Sequence, residues 1–110
     1  MERSSYSVRY LPLFYDDLSR IVSYIADELK NPNAALTLVN EIEKAIEARK
    51  PIAESFEIFN SNRKRKHPYY RIYVNNYIVY YVVIDEGEAG KVMEVRRILY
   101  KGMNQEEAVK

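Results

Sequence analysis

Cysteine is absent from the 110 residues, and so is tryptophan. Without cysteine there can be no disulfide, and nothing argues for export into an oxidising compartment. Histidine occurs once, as His67. With no cysteine and no paired carboxylates at ligand spacing, the chain offers no metal cluster, so neither a metal nor another cofactor is expected. The opening residues, Met1 to Ser5, have no apolar run behind them, which excludes the pattern of a signal peptide. No stretch approaches the ~20 apolar residues of a membrane span. Repeats and low-complexity tracts are missing too. These absences leave the expectation of a soluble cytoplasmic protein without membrane contacts. A chain of this length is one domain by size, residues 1–110, and it buries roughly 60–70% of the surface that its unfolded form exposes.

Acidic residues are missing from one long stretch. Residues 58–84 carry five basic side chains and no acidic one, although the whole chain sums to only +1. Residues 1–57 sum to −3 and residues 85–110 to −1. The positive charge therefore sits in one block, led by Arg63, Lys64, Arg65 and Lys66 with His67 beside them. Such a block is either a polyanion footprint or a solvated loop. Tyrosine is abundant, at 11, and seven of these lie between Tyr69 and Tyr100. Tyrosine favours strands, and its ring also stacks on bases.

The periodicity gives the element order. Tyr6 to Tyr10 alternates and predicts a short strand. Phe14, Leu18, Ile21, Val22, Ile25 and Leu29 recur at helical spacing and predict a helix over about Leu13–Leu29. Asp16 and Asp17 stand near its start, as the helix dipole prefers. Pro32 stops that helix, and Asn33 is the expected N-cap of a second one. Ala35, Leu38, Val39, Ile42, Ala45 and Ile46 form its stripe, and Pro51 ends it. So short a link makes the pair an antiparallel helical hairpin. Ile52 to Asn62 reads as a connection, with Phe56 and Phe59 tucked against the core. Strands follow over Tyr69–Val74, Tyr77–Ile84 and Lys91–Tyr100, with Asn75-Asn76 as a two-residue turn. Asn104 and Glu107 suggest a capping box for a short C-terminal helix. The predicted fold is α+β: an N-terminal strand, the helical hairpin, then an antiparallel three-stranded meander. One sheet face takes the helices, and the other is left partly open.

This order, with these residues, resembles the RelE/ParE toxins, the poison halves of bacterial type II toxin–antitoxin pairs. The resemblance runs from Tyr6 to Asn104. Its pieces are Tyr6-Ser7-Val8, the helix from Asp17 to Ala26, Asn31-Pro32-Asn33-Ala34-Ala35, the hairpin from Tyr70 to Tyr81, and the closing Val95-Arg96-Arg97-Ile98-Leu99-Tyr100. It implies a compact fold covered by a cognate antitoxin. RelE-like members cleave mRNA in the ribosomal A site, whereas ParE-like members act on DNA gyrase and need no RNA-cleaving residues. The first reading is therefore a ribosome-dependent mRNA endonuclease, and the alternative is a gyrase poison that binds without chemistry.

Metal-free RNA cleavage must deprotonate a 2′-hydroxyl, neutralise the phosphate and protonate the leaving oxygen. Arg71 matches the strand arginine of RelE-like nucleases, and a guanidinium can clamp two phosphate oxygens. The plain alternative is a solvent-facing arginine or one paired with Glu94. Arg97 matches the arginine of the family's Arg-Ile-Leu ending and is the choice over Arg96 to join Arg71. Tyr100 matches the late histidine or tyrosine that some members use, for stacking or proton transfer; the alternative is packing at a strand end. Arg63, Lys64, Arg65, Lys66 and His67 are the RNA-anchoring candidates. A carboxylate base cannot come from residues 58–84, so Glu54 or Glu57 would have to supply it.

Overall fold

A computed structural model describes residues 6–59 and 66–103. The order is β1 (Tyr6–Tyr10), α1 (Pro12–Ser23), a π-helical turn (Tyr24–Glu28), α2 (Pro32–Arg49), a short 3-10 turn (Lys50–Ile52), β2 (Tyr70–Val74), β3 (Tyr77–Asp85) and β4 (Lys91–Tyr100). The α+β class and the helix-pair-then-meander order match the sequence reading. The candidate C-terminal helix, with Asn104 and Glu107, falls outside the described residues.

The four strands form one sheet in the order β1-β4-β3-β2. The meander is antiparallel, but β1 lies parallel to β4, with Tyr6 opposite Lys91 and Tyr10 opposite Val95. That placement makes β4 a central strand. Between Tyr80 and Tyr81 the β3–β4 register shifts: Tyr81 faces Val95 while Tyr80 faces Arg97. Arg96 is thus the extra residue of a β-bulge, a feature that bends a strand and re-aims its side chains.

Both helices cover one face. Phe14 of α1 and Leu38, Ile42 and Ile46 of α2 are buried against Ile72, Val74, Val79, Tyr81, Met93, Val95 and Ile98. Burial of each large aliphatic or aromatic side chain stabilises by about 1.5–3 kcal/mol. The other face carries a second cluster, Tyr69, Ile78, Tyr80, Val82 and Leu99, with Phe59 packed on it. Large side chains on both faces of β3 explain why Tyr80 and its neighbour Tyr81 are both fully buried.

Three local readings are corrected. The α-helical hydrogen-bond pattern stops at Ser23, and a wider turn replaces it up to Glu28. The N-cap of α2 is Asn31 rather than Asn33: Asn31 Oδ1 accepts from the Ala34 N–H at 3.1 Å, and Pro32 occupies the first turn, where its missing N–H costs nothing. Asp17, read as an acid near the helix start that the dipole favours, is buried at 3% exposure and bonded by Arg97. At the hairpin tip Asn75 takes a left-handed φ of 54°, which asparagine tolerates.

Candidate functional site

Of the residues that the sequence nominated, the face away from the helices carries Arg71, beside the cluster around Tyr80. In a β-strand alternate residues share a face. Arg71 and Tyr73 of β2, and Tyr69 just before it, therefore stand on the side of Tyr80, and Ile72 and Val74 on the helix side. Arg71 is directly opposite Tyr80, and Tyr80 is opposite Arg97, so the three occupy one cross-strand row. The backbones of Arg71 and Arg97 are then two strand spacings apart, roughly 10 Å.

Arg71 lies over aromatic rings. Its guanidinium carbon is 4.6 Å from the Phe59 centroid and 5.7 Å from that of Tyr73. Contacts of this kind are worth about 0.5–1 kcal/mol at exposed sites. Among the described residues it makes no ion pair, and Glu94 is not its partner. Beneath it, Tyr80 is packed edge-on by Phe59 and Tyr69 at 6.0 and 5.7 Å. The Tyr80 hydroxyl is buried and has no hydrogen-bond partner among the described residues. Burial pushes its pKa up to about 12, with the Arg71 charge opposing the rise. A phenol of that acidity stays protonated at neutral pH, so it can donate a hydrogen bond but cannot serve as a base.

Arg97 goes elsewhere. Its Nε donates to Asp17 Oδ2 at 2.7 Å and its Nη2 to Asp17 Oδ1 at 2.9 Å. The Ile98 N–H adds a third bond to Asp17 Oδ2 at 3.1 Å, and Arg20 bonds Oδ1 at 3.0 Å. The hydrogen bond that Arg97 donates to Asp17 is the main reason that the Arg97 pKa is raised. Arg97 thus ties β4 to α1, and a phosphate could recruit it only by opening a buried pair.

Tyr100 stands at the far end of β4. It is opposite Tyr77 in register and edge-on to it at 6.1 Å, and it lines a hollow of about 410 Å³ with Arg20, Ile21 and Tyr24. Lys66 is exposed and His67 half-buried beside the start of β2. Arg63, Lys64 and Arg65 lie outside the described residues. The Phe59 N–H bonds Tyr69 O at 2.6 Å, and Ile58 bridges Tyr70.

Neither acidic candidate stands with Arg71 as a base. Glu54 Oε1 accepts from Lys91 Nζ and from the Tyr6 hydroxyl, both at 2.8 Å. These bonds hold its carboxyl below the ordinary value. Glu57 is exposed, with no ion pair among the described residues. No group of three or more His, Asp or Glu side chains gathers among the described residues. No described helix is long and apolar enough to cross a membrane.

Next to the row lies a charged ladder that the sequence signalled only in part. Glu94 is 6% exposed and receives Arg96 Nε at 2.8 Å and Arg9 Nε at 3.0 Å. Burial alone would raise the Glu94 pKa, but the bonds from Arg96 and Arg9 outweigh it and hold the carboxyl below its ordinary 4.5. A lowered folded pKa gives stability that is fully present above the unfolded value and is lost as pH falls through the folded one. The melting temperature of Glu94→Gln should accordingly fall less steeply than that of the parent below pH 4.5, as thermal scans across that range will test. An equal slope in both proteins would remove Glu94 from the account.

The residues missed at sequence level are those that hold the row in place. Tyr80 was visible only as a strand with large side chains on both faces. Asp17 and Arg20 are three apart on one helix face, a spacing that allows pairing but does not reveal burial.

A family model described as the ParE toxin of the type II toxin–antitoxin system, parDE, matches residues 8–104. No curated protein matches the sequence.

Proposed function

The chain belongs to the ParE toxin family of type II toxin–antitoxin systems, which implies an antitoxin partner, and we propose that it acts by binding DNA gyrase rather than by cutting mRNA on the ribosome. The observation that carries this reading is the dispersal of the groups that RNA cleavage would need. Arg97 is held by Asp17, Tyr100 lies at the end of the sheet against Tyr77, and Glu54 is held by Lys91 and Tyr6. That leaves Arg71 with a buried phenol as its cross-strand neighbour and, among the described residues, no carboxylate paired with it. General acid–base catalysis needs its groups within hydrogen-bond reach of one substrate, about 2.6–3.2 Å between heavy atoms. A binding toxin has no such requirement.

One observation favours the nuclease alternative. Arg71 has no described ion pair, lies over Phe59 and follows Lys66 and His67 in a stretch of sequence without acids. In that reading Arg71 would hold the scissile phosphate, and Lys64 and Lys66 would anchor RNA.

The two readings separate in one assay. Purified chain is added to DNA gyrase with relaxed plasmid and, separately, to translating ribosomes with a labelled mRNA. The expected result is inhibited supercoiling with intact mRNA, and an Arg71→Ala chain as potent as the parent. Ribosome-dependent mRNA cleavage that Arg71→Ala abolishes would reverse the assignment.

A further inference from the structure

Three aromatic rings stand together where α1 begins, at the end of the helical hairpin away from its link. The Tyr10 ring lies 5.3 Å from that of Phe14 and 5.7 Å from that of Tyr15, and the Phe14 and Tyr15 rings are 5.6 Å apart. Phe14 is the core member, at 2% exposure, whereas Tyr15 is 54% exposed and Leu13 is 47% exposed. The backbone under these rings is fixed. The Leu11 N–H bonds Val95 O and the Phe14 N–H bonds Leu11 O, both at 3.0 Å, and Pro12 occupies the first helical turn.

The last turns of α2 bring carboxylates to the same place. Glu43 and Glu47 are four residues apart, hence on one face of that helix, and both are exposed. Their charges reach Tyr10. Burial is the main cause that raises the Tyr10 pKa, and Glu47, Tyr15 and Glu43 add to the rise. Tyr10 therefore stays a neutral phenol at neutral pH, able to donate a hydrogen bond. Glu47 has one described cation, Lys50 at 3.8 Å, and so exposed a pair contributes little. Glu43, and the exposed Asp16 next to Tyr15, make no ion pair among the described residues.

We infer that this aromatic and acidic patch is the face by which the chain engages a Lys- and Arg-rich surface of DNA gyrase. The inference rests on the gyrase reading and adds to it the surface of contact.

Charge selects that partner. An enzyme that handles DNA must neutralise phosphates and so carries surfaces rich in lysine and arginine. Exposed carboxylates complement such a surface, and the ring faces of Tyr10 and Tyr15 attract the same cations. Residues 1–57, which hold the whole patch, sum to −3, while the positive block of the chain lies in residues 58–84.

The rings supply the second half of the fit. Tyrosine is a residue type in which binding energy concentrates, because its ring buries much area with few rotatable bonds. A ring packed against two others on a pinned helix start has little freedom left to lose on binding. The patch also lies on the helix side of the sheet, where Tyr10 packs, whereas Arg71 stands on the other. That separation agrees with an Arg71 that gyrase binding does not require.

The test measures the affinity of the full chain for purified DNA gyrase carrying plasmid DNA, at low and at high salt. The parent should bind, and more weakly as salt rises. Tyr15→Ser should weaken binding by about 30-fold. Glu43→Gln/Glu47→Gln should weaken it by about tenfold at low salt and flatten the salt dependence. Tyr73→Ser, 59% exposed on the opposite sheet face, should leave the affinity unchanged. Thermal melts check folding, and if Tyr15→Ser does not fold, the double glutamine variant decides. Parental affinity in both patch variants overturns the patch and leaves the gyrase reading standing. A parent that does not bind gyrase overturns both. Patch variants that keep their gyrase affinity but lose the antitoxin, or that split a dimer of the parent, would give the patch to the antitoxin or to a second copy and overturn the proposal.

Discussion

Asp17→Ala should lower folding stability by about 3–5 kcal/mol, the range seen when one partner of a buried ion pair is removed. Its carboxylate is 3% exposed and receives two bonds from Arg97, one from the Ile98 N–H and one from Arg20. Truncation leaves the Arg97 guanidinium, 20% exposed, without its carboxylate and the buried Ile98 N–H without its acceptor. It also removes the polar tie between α1 and the central strand β4. For a chain of this size the change corresponds to a melting-temperature drop on the order of 20 °C. Asp16→Ala, one residue earlier and exposed, should change stability by less than about 0.5 kcal/mol. Denaturant melts of the two variants provide the comparison, and equal effects would mean that the Asp17–Arg97 pair does not hold the fold.

Tyr81→Phe and Tyr80→Phe should shift stability in opposite directions, although the residues are adjacent and equally buried. The Tyr81 hydroxyl donates to Ala53 O at 2.6 Å and accepts from Arg49 Nη1 at 2.9 Å. Arg49 in turn lies 3.5 Å from the Phe56 centroid, so this hydroxyl helps anchor the end of α2 and the segment after it. Its loss strands a buried carbonyl and should cost about 1–3 kcal/mol. The Tyr80 hydroxyl has no partner among the described residues, and its deletion relieves a desolvation penalty. Tyr80→Phe should therefore be neutral or stabilising by up to about 1 kcal/mol. Destabilisation by Tyr80→Phe equal to that of Tyr81→Phe would mean that its hydroxyl is in fact satisfied.

What was legible in the sequence was what depends on neighbours along the chain. Alternation from Tyr6 to Tyr10 and from Tyr69 to Val74, the helical stripe through Leu38, Ile42 and Ile46, and the Asn75-Asn76 turn are all local signals, and the elements stand there, with β2 starting one residue later, at Tyr70. Pairing between distant segments is not written locally. Nothing in Ser7-Val8-Arg9 announces that it will lie parallel to Val92-Met93-Glu94, which follows only once the helical hairpin has returned the chain. The π-helical turn was hidden because its residues keep a helical apolar rhythm. The same holds at the site. Arg96 and Arg97 were read as facing opposite ways from strand alternation, but a β-bulge at Arg96 interrupts that alternation, and the two side chains take the partners Glu94 and Asp17. The bulge depends on β3 register, which no single segment encodes. The choice of Arg97 as a phosphate ligand rested on a family motif, and its engagement by a helix residue 80 positions away lies beyond any motif.

The central claim, a toxin whose target is gyrase, is tested most directly by inducing the chain in a bacterium without its antitoxin and pulse-labelling DNA, RNA and protein synthesis over the first minutes. The account predicts that DNA synthesis falls first, with DNA-damage signalling and intact mRNA. A first fall in protein synthesis with cleaved mRNA would contradict it and return Arg71 to the centre of a nuclease site.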